Sequence, residues 1–262
     1  MMDFYIHEII EDQRIKALLL KDTEAAKEAK KIADKCIATG EEPKLEAGLL
    51  PIFVLGYLAD HALSVNNARG IEKEITVATL KDVNLWIKNY EIQHGTLGLA
   101  EFHWLMKHYT GRLFRLGRLQ FVFEPTLFGA PEGEVVLDTH IPQDEPLTEE
   151  ACLASFARAK EFFSKHFPEK DPKYFTCGSW LLNPQLAELL GEDANIVKFM
   201  RLWSNHHTVA TSSNQAIQRV FGLGFKAENM ANAPENTSLQ RKLKAHFLNG
   251  GDLKGTGGYR KI

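Results

Sequence analysis

Two short apolar runs, Val135-Val136-Leu137 and Tyr174-Phe175-Thr176-Cys177, flank one long amphipathic stretch, and this spacing limits the fold more than any other feature. The stretch reads as a helix from Thr148 to about His166. Thr148 can cap its first turn, Glu149 and Glu150 suit the positive end of its dipole, and Leu147 can staple onto Cys152. Cys152, Phe156, Ala159 and Phe163 form its buried face. Two strands joined by a helical crossover are almost always parallel neighbours with a right-handed connection. His140 and the Cys177–Ser179 segment are therefore expected side by side at the carboxyl ends of adjacent strands. In open α/β sheets that edge binds ligands.

Bulk properties exclude several function classes. A chain of 262 residues, 44% hydrophobic and 25% charged, can build one large domain or two modest ones. The formal net charge of −3 and interleaved charges give no basic face for nucleic acid. Three cysteines, Cys36, Cys152 and Cys177, are few and far apart, which fits a reducing compartment. The amino terminus lacks signal-peptide character, and the apolar stretch from Leu49 to Ala59 is too short to span a bilayer. A cytoplasmic location, with no membrane contact, is expected.

The first hundred residues read as helices. Ala25, Ala29, Ile32 and Cys36 recur at helical spacing, with Gly40 as the cap and Pro43 beyond it. Leu49 to Ala62 is a buried helix; Thr79-Leu80-Lys81-Asp82 is a capping-box pattern opening another; Leu97 to Tyr109 is one more, closed by Gly111. Tyr5, Ile6, Ile9 and Ile10 look like docking contacts. After Arg112 the character changes. Leu119 to Phe123 is a strand ending at Pro125, and Gly129 to Gly133 is turn chemistry, so Val135 returns as the second arm of a hairpin. Pro184 to Leu190 is a short helix capped by Asn183. Ile196–Met200 and Ala216–Phe221 are strand candidates, with a polar loop from Ser204 to Asn214 between them. Thr237-Ser238-Leu239-Gln240 opens a last helix with a capping box, and a Gly-rich tail follows. The expected class is α+β or α/β: a helical N-terminal domain, 1–110, then a mixed sheet with flanking helices, 111–262.

Several phrases carry a resemblance. Gly117-Arg118-Leu119-Gln120-Phe121, His140-Ile141-Pro142, the Thr148-to-Phe167 helix and Cys177-Gly178-Ser179-Trp180-Leu181-Leu182-Asn183-Pro184-Gln185-Leu186 are among them, as are Asn195 to Phe199 and Thr237 to Arg241. Together with the element order β-β-α-β-α-β-β after Arg112, they resemble bacterial acyltransferase-like proteins that join a helical N-terminal domain to a GNAT-like C-terminal domain. The resemblance implies transfer of an acyl group from acetyl-CoA or another acyl-CoA to an amine on a small molecule or peptide, without a metal. It also implies that the pantetheine arm lies along Val135–Thr139 and that the turn from Ile141 to Thr148 faces the pyrophosphate. Asp138, Thr139, Ile141 and Thr148 are then the cofactor-binding candidates. The usual Arg/Gln-x-x-Gly-x-Gly signature is replaced here by Ile141-Pro142-Gln143-Asp144-Glu145-Pro146, which has no glycine, two prolines and two carboxylates. That departure motivates the alternative of a non-catalytic GNAT-like ligand-binding module. Arg219-Val220-Phe221-Gly222-Leu223-Gly224 matches the signature verbatim but falls too late in the chain, and reads as coincidence.

Among the catalytic candidates, His140 is the first choice as general base, because imidazole titrates near neutrality; the plainer alternative is a ring that ties the turn. Cys177 is a nucleophile if His140 lies close, which would make a Cys-dependent hydrolase or transferase, and otherwise a small core residue. Ser179 is placed to hydrogen-bond a ligand. Arg112, Arg115 and Arg118 read as a solvated surface. His103, His108, His206 and His207 lack the spacing of zinc ligands.

Overall fold

The computed structural model describes residues 2–21, 23–124, 128–143 and 145–262. Pro125 and Asp144, named above, lie outside the described residues. The chain divides into two compact units, Met1–Leu116 with Pro142–Asp144, and Gly117–Ile141 with Glu145–Ile262.

The first unit is helical. After a π-turn at Tyr5–Ile9 come α1 (Gln13–Leu19), α2 (Glu24–Thr39), α3 (Leu50–Ala68), α4 (Lys73–Leu80), α5 (Asp82–His94) and α6 (Phe102–Tyr109), closed by strand β1 (Leu113–Leu116). Thr23 caps α2 by accepting from the Ala26 N–H, and Gly40 ends it at φ 71°, the cap the sequence pattern places there. Tyr5, Ile6, Ile9 and Ile10 are buried in the core with α3 and α6. The Thr79 capping box does not form. Thr79 instead sits in the last turn of α4, where its hydroxyl donates to the Ile75 carbonyl at 2.7 Å and accepts from the Arg115 N–H at 2.9 Å. Lys81 joins α4 to α5 with helical backbone and no side-chain cap. The Asp82 carboxylate, buried, accepts from Trp86 Nε1 at 2.9 Å. Residues 97–101, expected in α6, are irregular and hold a single bridge, Gly48 to Leu99.

The second unit contains β2 (Leu119–Phe123), β3 (Val136–His140), α7 (Glu149–His166), β4 (Tyr174–Ser179), α8 (Gln185–Leu190), α9 (Asn195–Met200), β5 (Ser204–Thr208), α10 (Asn214–Phe221), α11 (Ser238–Leu248) and β6 (Thr256–Lys261). Its strands run in the order β2-β3-β4-β6-β5. β2 and β3 are the antiparallel hairpin the sequence implies, and β3 and β4 are parallel with α7 as the crossover. One sheet face receives α7: Phe156 lies 4.9 Å from Phe175 and 5.9 Å from Phe121 between ring centroids, and Phe123 lies 5.0 Å from Phe163.

Five expectations fail here. Ile196–Met200 and Ala216–Phe221 are helices, α9 and α10, not strands. Both are short apolar runs whose type periodicity alone leaves open, and Ala216, Ile217, Val220 and Phe221 repeat at helical spacing onto a core with Trp180, Leu186 and Leu243. The polar loop after Ser204 holds strand β5, which is polar because it is the exposed edge of the sheet. The Gly-rich tail holds β6, which pairs with both β4 and β5. Arg118, expected on a solvated surface, is 5% exposed, because it sits in the turn after β1 with its Nε donating to the Pro146 carbonyl at 3.0 Å. No described helix is long and apolar enough to cross a membrane.

Candidate functional site

The site begins where the β3–β4 ladder stops. Val136, Leu137 and Asp138 pair with Tyr174, Phe175 and Thr176, yet β3 continues to His140 and β4 to Ser179. Past Asp138 the two parallel strands part, and the backbone beyond has no ladder partner across that pair. The Asp138 carboxylate takes over at this point. Its Oδ1 accepts from the Thr139 N–H at 3.1 Å and from the Thr176 hydroxyl at 3.2 Å, while Oδ2 lies 3.3 Å from His140 Nε2. Two donors fix one oxygen of the carboxylate, and the other oxygen faces the imidazole.

Strand alternation assigns the remaining candidates to faces. Asp138, His140 and Thr176 share the face away from α7. The His140 side chain is 31% exposed and that of Asp138 10% exposed, so the imidazole reaches solvent from beside a largely covered carboxylate. Cys177 lies one residue from Thr176 and points to the α7 face, away from His140. It is 1% exposed, and burial, followed by the Asp138 carboxylate, pushes its thiol well above the ordinary thiol range. The structure therefore does not bring Cys177 and His140 together as a nucleophile and base. Cys152 on α7 is likewise buried, with its thiol pushed up to about 11 by desolvation and partly offset by Arg118.

Ser179 is 8% exposed and its hydroxyl accepts from the Leu181 N–H at 3.2 Å, capping the 3-10 turn Trp180–Leu182. Asn183 caps α8 by accepting from the Gln185 N–H at 3.1 Å and donates to the Lys254 carbonyl at 3.0 Å. Thr139, buried on the α7 face, has a hydroxyl with no hydrogen-bond partner among the described residues. Ile141 is half-buried just beyond β3. Thr148 caps α7, accepting from the Ala151 N–H at 3.3 Å, and Glu149 and Glu150 occupy its first turn. Arg118 supplies positive charge beside the turn that leads into α7. The Arg219 stretch that copies the acyl-CoA signature lies at the carboxyl end of α10, where a helix presents carbonyls rather than amides.

Two residues the sequence did not single out complete this face. Gln120 is the direct partner of His140 across the β2–β3 pair. Phe128, at φ 39°, lays its ring over paired Gly178 and Gly257: a β-carbon on Gly178 would meet its Cζ at 2.5 Å, and one on Gly257 its Cδ1 at 3.0 Å. Gly178 stands two residues past Thr176, level with His140 two residues past Asp138. Alternation within an antiparallel pair would have exposed Gln120, but a loop ring folding onto two glycines has no local signal. Among the described residues no group of three His, Cys, Asp or Glu side chains could hold a metal ion.

A mixed sheet whose central parallel strands are bridged by one helix and then diverge at their carboxyl ends is the architecture of GNAT-type N-acyltransferases. Residues 113–260 match the profile of the GNAT-like C-terminal domain, and residues 4–111 match the N-acyltransferase N-terminal domain. The chain belongs to that family. Solved structures of the same fold include an acyltransferase in complex with decanoyl-CoA and teicoplanin, 25% identical with a TM-score of 0.74, covering 99% of this chain and 83% of that one. Another is an acyltransferase in complex with decanoyl-CoA, 23% identical with a TM-score of 0.81, covering 99% and 86%. A third is a mutant acyltransferase in complex with octanoyl-CoA, 24% identical with a TM-score of 0.76, covering 99% and 86%. No curated protein matches the chain.

Proposed function

We propose that this protein transfers an acyl group from an acyl-CoA thioester to an amine on a small-molecule or peptide acceptor. The observation that carries the reading is the parting of β3 and β4 beyond Asp138 and Thr176, with a carboxylate-held imidazole at its edge. The parted backbone offers hydrogen-bonding groups to an extended amide chain such as pantetheine, in the manner of strand addition. In the structurally similar acyltransferases the bound donors are octanoyl-CoA and decanoyl-CoA, and one complex also holds teicoplanin, which supports a donor longer than acetyl and an acceptor of peptide size.

The step is direct attack. The acceptor nitrogen adds to the thioester carbonyl carbon, a C–N bond forms, and the carbonyl electron pair moves to oxygen. Collapse of the adduct breaks the C–S bond and releases CoA thiolate, which takes up a proton. With its Nε2 proton toward Asp138, His140 uses Nδ1 to accept the proton the attacking amine loses. Backbone N–H groups at the parted strand tips stabilise the oxyanion. Cys177 has no part in this chemistry, since its thiol is buried on the opposite face, and Ser179 serves first to cap the turn after β4.

The test combines calorimetric titration of acetyl-CoA and octanoyl-CoA with an assay of thiol release in the presence of a primary amine. Saturable binding is expected, with turnover that falls by about 10²–10⁴-fold in His140→Ala while acyl-CoA affinity is kept. No heat at millimolar acyl-CoA removes the acyl-transfer reading. Binding without any turnover across a panel of amines leaves a ligand-binding module, the role the Pro142-to-Pro146 turn first suggested.

A further inference from the structure

Gln120 has a polar group with nothing to do. It is 2% exposed, so water does not reach it, and its Nε2 has no hydrogen-bond partner among the described residues. A carboxamide nitrogen carries two N–H donors, and buried polar groups in folded proteins are nearly always satisfied. An exception placed at random in the core would simply be a fault. This one is not placed at random. Gln120 pairs directly with His140 across the antiparallel β2–β3 ladder, and directly opposed residues project from the same face with β-carbons about 4.5–5.5 Å apart. The orphaned donor thus stands beside the imidazole, on the face that also carries Asp138 and Thr176, at the point where β3 leaves β4.

We infer that Gln120 is a further catalytic residue, whose side-chain amide donates to the thioester carbonyl oxygen of the acyl donor. The inference rests on the acyl-transfer reading and adds one donor to it. As the amine nitrogen adds to the carbonyl carbon, the oxygen gains the electron pair of the broken π bond, and a preorganised N–H beside it stabilises that charge. His140 removes the proton from the nitrogen on one side of the same carbon while Gln120 holds the oxygen on the other. The pairing explains why a strand that is otherwise apolar, Leu119-Gln120-Phe121-Val122, carries a glutamine at the one position facing the histidine.

Gln120→Met keeps the length of the side chain and removes the donor. Infrared difference spectra of bound octanoyl-CoA, taken without acceptor so that no turnover occurs, read the hydrogen bond directly. In the unaltered protein the thioester carbonyl stretch is expected at lower frequency than in solution, and in Gln120→Met it returns toward the solution value. In the same variant kcat is expected to fall about 100-fold with the KM for acyl-CoA changed less than about threefold, and the thermal midpoint to stay level or rise, since an unsatisfied buried donor has been removed. Octanoyl-CoA that binds with an unshifted carbonyl in the unaltered protein overturns the assignment while leaving acyl transfer standing. So does a Gln120→Met protein that loses its fold, because it would show the amide to be internally engaged. Failure of any acyl-CoA to bind the unaltered protein overturns the acyl-transfer reading itself.

Discussion

At the level of single residues, Asp138 does the most to define the site, and it does so by accepting rather than by reacting. Its Oδ1 accepts from the Thr139 N–H and the Thr176 hydroxyl, and Oδ2 lies 3.3 Å from His140 Nε2. In the proposed reaction a carboxylate there favours the tautomer with its proton on Nε2, leaving Nδ1 to take the acceptor's proton. Asp138→Asn tests this without emptying the space. Its carbonyl oxygen can serve Thr139 and Thr176, and its amide then points N–H groups at Nε2. The opposite tautomer follows, with Nδ1 protonated and unable to act as base. We expect kcat to fall by about 10²–10⁴-fold, with acyl-CoA binding and the chemical-denaturation midpoint nearly unchanged. Kinetics that match the unaltered protein would show that the contact serves only to tie the strand end.

Among elements, α7 and the turn before β2 depend on one buried hydroxyl. Gly117, at φ 81°, turns the chain so that the Arg118 and Leu119 N–H groups both donate to Ser155 Oγ, at 2.8 and 3.2 Å. A β-carbon on Gly117 would meet that same oxygen at 2.9 Å, so the glycine is needed for space as well as conformation. Ser155→Ala leaves two backbone donors unsatisfied in the interior, each costing about 1–3 kcal/mol. Urea unfolding of the variant is expected to show a loss of at least about 2 kcal/mol; a loss below about 0.5 would mean that water replaces the hydroxyl. This contact also shows what could be read from the sequence and what could not. The strand–helix–strand order, the parallel pairing, the caps at Thr148 and Thr237 and the buried face of α7 all follow from local patterns of apolar spacing and capping chemistry. So does the position of His140 at a strand end. Strand β6 was hidden because its glycines make room for Leu182, Trp203, His207 and Phe128 rather than for a turn, and that reason exists only once the sheet is assembled. The edge strand β5 was hidden because edge position favours polar residues, which read as loop. The role of Arg118 depends on Pro146, 28 residues away, and pattern reading sees no such pairs.

For the whole molecule, the buried thiols and phenols favour one direction of pH sensitivity. In the second unit burial raises the Cys152 thiol from its ordinary 9.0 to about 11 and the Cys177 thiol well above 9.0. In the first unit Tyr5 and Tyr109, whose rings meet edge to face at 6.2 Å, are buried and their phenols are raised above 10.0 by desolvation. Each group keeps its proton in the folded chain at a pH where the unfolded chain has lost it. Their contribution to stability is therefore complete below the unfolded values, and it is lost as pH rises through the folded ones. The window opens near pH 9 for the thiols and near pH 10 for the phenols. The thermal midpoint, followed by circular dichroism under reducing conditions, is expected to hold between pH 7 and 8.5 and to decline steadily from pH 9 to 11. Cys152→Ala with Cys177→Ala, measured against the unaltered chain, should flatten part of the early decline, to which the raised Cys36 thiol of the first unit also contributes, and leave the later part, which belongs to the tyrosines. A midpoint that stays constant to pH 11 would mean that these four groups reach solvent in the folded state, and the buried placement of Cys177 that removes it from the chemistry would fall with it.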